Sequence, residues 1–573
     1  MSDFLFAVRR RAPGELRAIL IRHFGPVAAQ VAEHHGDWGS LAVVRAAHDG
    51  EVLVEDESSL SVLAGVPIAR IAPHAPGLAA SGPRRRAVHE LLSRGPATPW
   101  SERLDSGFAA LRVDRGGGGM VVTDIASFVP VFAGAGVIGT HPDAVARAAG
   151  RHHEVDEVSA ADLVLHLSCT FPYTLFRGIE QLPPATARSF DAGGAWKDDA
   201  STYWRPTEEN PYASRADAAT ALQEGLVENV RQACGELPAA GILLSGGEDA
   251  RAVLGAIPPG PEVRAFVFAD WENREVRVAR AAARAYGAEL TFGRRRPDHY
   301  LHGLETVASL LGSGQLFMDV HGYGFHESLG LRELPVVLGG LSSDSFLKGQ
   351  HAPAAAPPGA PFPVPDAPEL RPDLLRAVAE RRTGFRRWLE EIRPTTAQEW
   401  ERLYPFTQRK HSGNFHGNRR LFASHEPFHS AALVALAAAV PLRWKEGRTL
   451  FHEAMKPLFA PSWHVPHSRW RYPYFGRAAN LPLSVGLRVA RGVRAVATGE
   501  LRARQGPWPK WASVVASPAM AEKRRAYPVL GSPLAALFTA RREAEVERAV
   551  AGWHPLRQLI LLQLAYLARG PHE

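Results

Sequence analysis

Residues 241–254 read GILLSGGEDARAVL, and the fold of the second half of the chain turns on them. Gly241–Leu244 is a short apolar strand, SGGE a tight turn, and Asp249–Ile257 a helix that comes at once after it. Two glycines let backbone approach a phosphate closely. The unpaired amides of the next helical turn add donors at the positive end of a dipole. Ser245 contributes a hydroxyl. The stretch has neither the Lys-Ser/Thr ending of a Walker loop nor the three-glycine spacing of a dinucleotide fingerprint.

Downstream, Val263–Ala269 reads as a second strand, Glu275–Tyr286 as a helix, Ala288–Phe292 as a third strand and Pro335–Leu338 as a fourth. Strands alternating with helices at this spacing predict a parallel sheet covered on both faces. The design recurs at 336–349, VVLGGLSSDSFLKG: an apolar strand, a small-residue turn, then Asp344. At the carboxyl ends of parallel strands, Asp249 and Asp344 are placed to converge on one Mg²⁺ bridging phosphate oxygens. A long helix over Arg215–Leu237 precedes the sheet, Ala431–Leu442 reads as a buried helix, and Pro555–Ala568 closes the chain as an apolar helix. Residues Gln350–Pro368, crowded with Pro and Ala, read as a loop or flexible lid.

Upstream the texture differs. Leu41–Arg45, Glu51–Glu55, Phe108–Val113, Met120–Thr123 and Val137–Gly139 are short strand-like runs split by turn residues. Helical spacing covers Gly14–Glu33 and Ala160–Leu167, and Tyr203–Ser214 is a polar, proline-bearing linker. These patterns predict an α+β domain of antiparallel strands over 1–205, followed by an α/β domain over 206–573.

The hydrophobic fraction of 46% and charged fraction of 22% are those of a soluble globular protein. No apolar run suits a signal peptide or a membrane span, so the expected location is cytoplasmic. Two cysteines, Cys169 and Cys234, exclude a disulfide framework and a cysteine metal site. The net charge of +7 is mild over 573 residues but concentrates in GLRVARGVRAVATGELRARQ (486–505) and AEKRR (521–525). That concentration is either a solvated helical face or a surface for an acidic peptide or partner protein.

In its motifs the chain resembles the asparagine synthetase family, with its β-lactam synthetase and lasso-peptide cyclase relatives. SGGEDA is similar to the family's SGGxDS loop, and AFVFADWENREVRVARAAARAYGAEL (265–290) to its second strand and helix. GGLSSDSF is similar to its G-x-GSDE segment. HEPFHSAALVALAAAVP is similar to its R-x-PFLD stretch, and GRTLFHEAMKPLFAPSW to the segment after that stretch. GFAALRVDRGGGGMVVTDIASFVPVF (107–132) and FRGIEQLPPATARSFDAGGAWKDDASTYWRP (176–206) resemble the glutaminase-type N-terminal domain and its exit. The similar segments span most of the chain in the family's order.

The resemblance implies an Ntn-hydrolase-like sandwich followed by an ATP-pyrophosphatase sheet with added helices. It implies ATP and Mg²⁺ as cofactors. Ser245, Gly246 and Gly247 would hold the phosphates, Asp249 and Asp344 the metal, and Leu244, Phe268, Gly339 and Gly340 would border adenosine. The family adenylates a carboxylate, releases pyrophosphate, and lets an amine displace AMP. Position 2 is Ser2 rather than the glutaminase cysteine, which implies a domain without that activity. Leu341, Ser345 and Ala250 also depart from the family pattern. Arg469, in HSRWRYPYF (467–475), falls at the family's late lysine, with Lys348 and Lys456 as other cations. Glu248 is either a base or a solvated or capping carboxylate. His411, His416 and His425 either assist proton transfer or are surface or hydrogen-bonded core histidines.

Two functions stay open on this reading. One is glutamine-independent amide or lactam formation on a small-molecule or peptide carboxylate and amine, in specialised-metabolite or modified-peptide biosynthesis. A precursor peptide or partner protein would then be involved, and neither nucleic acid nor membrane. The other is a degenerate relative that binds a nucleotide or partner as a scaffold without ligating.

Overall fold

The computed structural model describes all residues except 1, 26, 47, 49, 51, 81, 352–361, 470, 477–478, 484, 487–488, 490–505 and 570–573. The N-terminal part is built on two six-stranded antiparallel sheets. In the first, Asp3–Ala7 lies between Val137–Gly139 and Gly39–Ala46. In the second, Phe108–Asp114 lies between Gly119–Thr123 and Ser59–Gly65. Side-chain alternation sorts each strand between two cores. Phe4, Phe6, Leu41 and Val43 meet Leu60, Val62, Leu111 and Val121 between the sheets. On the outer face of the first sheet, Leu5, Ala7, Ala42 and Val44 pack on helices Glu15–Phe24, Pro142–Ala148 and Glu157–His166. Leu63, Ala110 and Val122, outside the second, pack on helix Gly82–Leu92. The result is four layers, with helices outside and sheets inside.

The helix expected over Gly14–Glu33 ends at Phe24, and Ala28–Gly36 is a strand. The helix closes at Gly25, whose amide donates to the Ile21 carbonyl at 2.8 Å, and Ala28–Gly36 pairs with Gly39–Ala46 along its length. The strand expected over Glu51–Glu55 is Leu53–Glu55. The linker is strapped down rather than loose: the Arg393 guanidinium donates to the Thr207 carbonyl at 2.9 Å, and Glu208 accepts from the Thr396 amide at 2.7 Å.

Beyond helix Arg215–Cys234 comes a five-stranded parallel sheet of Ala239–Leu243, Glu262–Ala269, Glu289–Arg294, Val337–Leu338 and Ser424–His425. Its spatial order is third, second, first, fourth, fifth. Ile242, Ala265 and Val267 pack with the helices Arg215–Cys234, Asp249–Ala256 and Arg274–Ala285. Phe266 and Val337 belong to the core on the other side, with Leu301 and Leu304. Burial on both faces is why these strands read as unbroken apolar runs. The apolar helix at 431 stops at Ala439, ahead of Pro441.

The two parts share one apolar core and several buried charges. Asp3, 1% exposed, accepts from Arg419 at 2.7 Å and from Arg420 at 2.8 Å, both on helix Gly413–Leu421. The two guanidiniums hold its carboxyl far below the usual range against the opposing pull of burial. Asp162 is likewise 2.6 Å from Arg382. Ser2 is fully buried, and its hydroxyl donates to the Leu63 carbonyl at 2.6 Å.

Among the described residues no helix is long and apolar enough to cross a membrane. Of the basic stretches, residues 490–505 lie outside the described residues. In helix Pro518–Ala526, Lys523 pairs with Glu305 and Arg524 bonds Gln558. Of the expected loop at Gln350–Pro368, residues 352–361 are outside the description. Phe362 beyond them is buried under the guanidiniums of Arg382 and Arg386.

Candidate active site

Strand order reverses between Ala239–Leu243 and Val337–Leu338, and in open parallel sheets ligands bind outside the carboxyl ends at such a point. Both sequence-predicted loops start there. SGGE leaves the first of these strands and GGLSSD the second. A cavity of about 810 Å³ opens at this place, lined by Leu244, Ser245, Gly247, Asp249, Phe268, Asp344, Lys348 and Arg469 among others.

Gly246, Gly339 and Gly340 stand behind that wall rather than on it. The Gly246 amide donates to Glu275 Oε1 at 2.8 Å, and its carbonyl accepts from the Ser468 amide at 2.9 Å. A Cβ on Gly340 would stand 2.5 Å from the Ala250 nitrogen, so glycine is what lets the two loops touch. At Gly339 a Cβ would collide with the Glu426 carboxylate. That carboxylate accepts from the Leu341 amide at 2.9 Å and is pushed by burial up to about 7.

The charges are organised around Lys348. Its ammonium, 3% exposed, bonds Asp249 Oδ1 and lies 3.0 Å from Glu248 Oε1. Burial pulls it down, but the two carboxylates outweigh burial and hold it above the ordinary lysine range. Glu248 also pairs with Arg448 at 2.9 Å and Arg471 at 2.7 Å. Burial would raise its carboxyl, and Lys348 and Arg448 hold it below the usual range instead. It is not a solvated carboxylate, and although it stands at the N-cap position of helix Asp249–Ala256 its side chain bonds no helix amide; an anion so well paired is a poor base. Asp249 is held above its usual value, first by burial and then by Glu248 and Asp344, against Lys348. The mutual influence of Asp249 and Asp344 fits two acids facing one space. Asp344 stands 3.6 Å from Arg409, and Arg409 also donates to Ser345 at 2.8 Å.

The segment carrying Arg469 is fixed on the first loop. Arg251, fully buried, donates to the Val465 carbonyl at 2.8 Å. The Ser468 amide holds the Gly246 carbonyl, and Arg469 itself is exposed at the cavity. His467, pushed by burial down to about 3, is a neutral imidazole there. Lys456 lies over the Tyr474 ring at 5.5 Å and is not among the lining residues. His416 and His425 are buried; His425 bonds Asn229 at 2.8 Å, and burial keeps both neutral.

Sequence reasoning singled out none of several other lining residues, among them Arg274, His321, Asn414, Asn418, Arg448 and Trp508. Arg274 and Arg448 lie inside segments read for their resemblance and not for these side chains, Asn414 and Asn418 share helix Gly413–Leu421, and His321 and Trp508 carry no local motif. The Phe268 ring stacks on Phe325 at 4.6 Å, which gives the second strand's end a flat apolar surface. No family model matches the chain, and no curated protein matches it.

Among the described residues no group of three or more His, Cys, Asp or Glu is disposed as a cage for a metal. Mg²⁺ held against polyphosphate needs only one or two carboxylates, the phosphates and water supplying the other ligands. Asp249 and Asp344 meet that demand, with side chains 29% and 39% exposed toward the cavity.

Proposed function

We propose that the chain is an AMP-forming carbon–nitrogen ligase that activates a carboxylate with ATP and passes the acyl group to an amine without using glutamine. On this reading the first 205 residues are an Ntn-hydrolase-like sandwich kept for structure. The remainder is an asparagine-synthetase-like ATP-pyrophosphatase domain. The observation that carries the proposal is the meeting of Asp249 and Asp344, from loops on either side of the strand-order reversal, at one cavity with Lys348 and Arg448.

The residues divide the work by their chemistry. Asp249 and Asp344 would hold Mg²⁺, which when bound neutralises charge on the triphosphate and on departing pyrophosphate. The Ser245 hydroxyl, whose oxygen already accepts from the Gly247 amide at 3.1 Å, keeps its own proton to donate, and the first turn of helix Asp249–Ala256 offers amides to phosphate oxygens. Lys348, Arg448 and Arg471 outnumber the two carboxylates they pair with, Glu248 and Asp249, and leave a positive balance for an anion. Arg469 adds a permanent cation on the exposed side, which stabilises charge and cannot shuttle a proton. Leu244 and Phe268 supply apolar surface for a base.

A second reading, a nucleotide- or partner-binding scaffold, is favoured by one observation. The Asp249 carboxylate already carries the Lys348 ammonium, and the Gly246 amide is already taken by Glu275. Isotopic pyrophosphate–ATP exchange with Mg²⁺ and a panel of carboxylates separates the two. The ligase exchanges label with at least one acid and loses exchange in Asp249→Asn and Asp344→Asn. ATP binding without exchange for any acid in the panel refutes the ligase.

A further inference from the structure

An Asp–His pair stands beside the cavity, outside the phosphate-binding groups. Asp319, 1% exposed, closes the short turn Phe317–Asp319. Its Oδ1 accepts from His411 Nδ1 at 2.7 Å. Its Oδ2 is buried with no hydrogen-bond partner among the described residues, so its charge is directed at His411. Donation from Nδ1 fixes the tautomer and leaves Nε2 as the open nitrogen. The His411 side chain is 45% exposed and therefore reachable. Its backbone sits at φ +66°, a region a residue with a Cβ seldom adopts and one that concentrates at functional sites.

The surroundings link the pair to the cavity. The His411 ring is 6.4 Å from the ring of Trp508, which stands 4.2 Å from His321. Trp508, His321 and Asn414, the last only three residues beyond His411, all line the cavity. Arg409, two residues before His411, is the cation beside Asp344. The pair therefore stands just behind the wall formed by Trp508, His321 and Asn414. The polar residues that line this side offer no competing base: His321 is held neutral by burial, with its Nδ1 2.9 Å from the Tyr300 hydroxyl, and Asn414 and Asn418 do not titrate.

We propose that His411, oriented by Asp319, is the general base that deprotonates a primary alkyl amine for attack on the activated carboxylate. This rests on the ligase reading. Such an amine arrives as an ammonium with its lone pair blocked. Nε2 takes one proton, and nitrogen attacks the acyl carbon to form the C–N bond. The bond from that carbon to the AMP oxygen breaks, AMP leaves with the electron pair, and the second nitrogen proton passes to water. Asp319 is a positioning residue that favours the imidazolium as it forms. The charged or titratable groups facing His411 are Asp319, His321, Arg409 and Lys410. Asp319 raises its basicity, burial and the two cations oppose, and the balance lies above the ordinary histidine value.

The test compares two amines on the full chain, with the carboxylate that gives exchange in the wild type. Hydroxylamine is neutral at pH 7 and needs no base, whereas methylamine is protonated. His411→Asn is chosen because asparagine tolerates positive φ. It should keep pyrophosphate exchange and hydroxamate formation while losing about 100-fold or more of methylamide formation at pH 7. The loss should shrink as pH rises toward the amine's own pKa. Asp319→Asn should lower the kinetic pKa for methylamide formation toward the ordinary histidine value. Equal loss of hydroxamate and methylamide overturns the assignment and makes His411 structural, and an unchanged methylamide rate overturns it too. Absence of exchange in the wild type instead defeats the ligase reading, and this proposal with it. Imidazole NMR of the ligand-free chain still reads the pair in that event: His411 should titrate above His411 of Asp319→Asn.

Discussion

Lys348→Met is the most informative single change. Methionine keeps most of the length of the stem over Phe451, where the ammonium stands 4.1 Å from the ring centroid, and removes only charge and donors. Glu248 keeps Arg448 and Arg471, whereas Asp249 loses the one cation bonded to it. Breaking a buried pair by removing one partner costs about 3–5 kcal/mol. Asp249 is partly open to the cavity, so water recovers part of that, and a cost of about 2 kcal/mol is expected. In a chain of 573 residues the midpoint of thermal unfolding should fall by about 2 °C. With the ammonium gone, Asp249 is left without its cation while Asp344 keeps Arg409, so Mg²⁺ should raise the midpoint of the variant more than that of the wild type. Differential scanning fluorimetry across a MgCl₂ series, with CaCl₂ and KCl as controls, reads both effects. A variant as stable as the wild type, or one indifferent to Mg²⁺, would refute the pairing of Lys348 with Asp249.

The second loop gives two more expected outcomes. Glu426 titrates at about 7 when folded and about 4.3 when unfolded, so between these values the unfolded chain releases a proton that the folded chain keeps. Stability tied to this group is thus present at low pH and lost as pH climbs to about 7; Glu426→Gln should be relatively more stable than wild type at pH 8 than at pH 4 in urea titrations, and an identical pH dependence would refute the assignment. Gly340→Ala places a methyl 2.5 Å from the Ala250 nitrogen and 2.8 Å from the Asp249 carbonyl carbon. Overpacking of this kind costs about 1–3 kcal/mol, and the displacement falls on the loop that carries Asp249, so exchange activity should drop further than the stability loss explains. Full exchange activity in this variant would show that the two loops need not touch.

The sequence makes legible what is local. Strand, small-residue turn and helix succeed one another within a few residues in both loops, so their positions and the pairing of Asp249 with Asp344 can be read without a fold. Distances across the chain are not legible. Glu248 is bound by cations from residues 348, 448 and 471, and nothing near Glu248 announces them. Ser59–Gly65 escapes a sequence reading because it is buried on both faces yet Ser59, Ser61 and Gly65 break the apolar run that such a strand would otherwise show. Over Gly14–Glu33 the helix and the strand are both apolar enough to satisfy one helical period, which hides the boundary between them. The Asp319–His411 pair joins residues 92 apart, one in a three-residue turn and one in a strained backbone position, and neither context has a sequence signature.

The clasp of Arg419 and Arg420 on Asp3 carries a consequence for how the chain is made. Asp3 has its counter-ions 416 and 417 positions later in the chain, so the first sheet cannot neutralise this buried charge until both arginines are in place. A carboxyl-terminal half produced alone would leave both guanidiniums without this anion. The two halves are therefore coupled through the buried charge at Asp3.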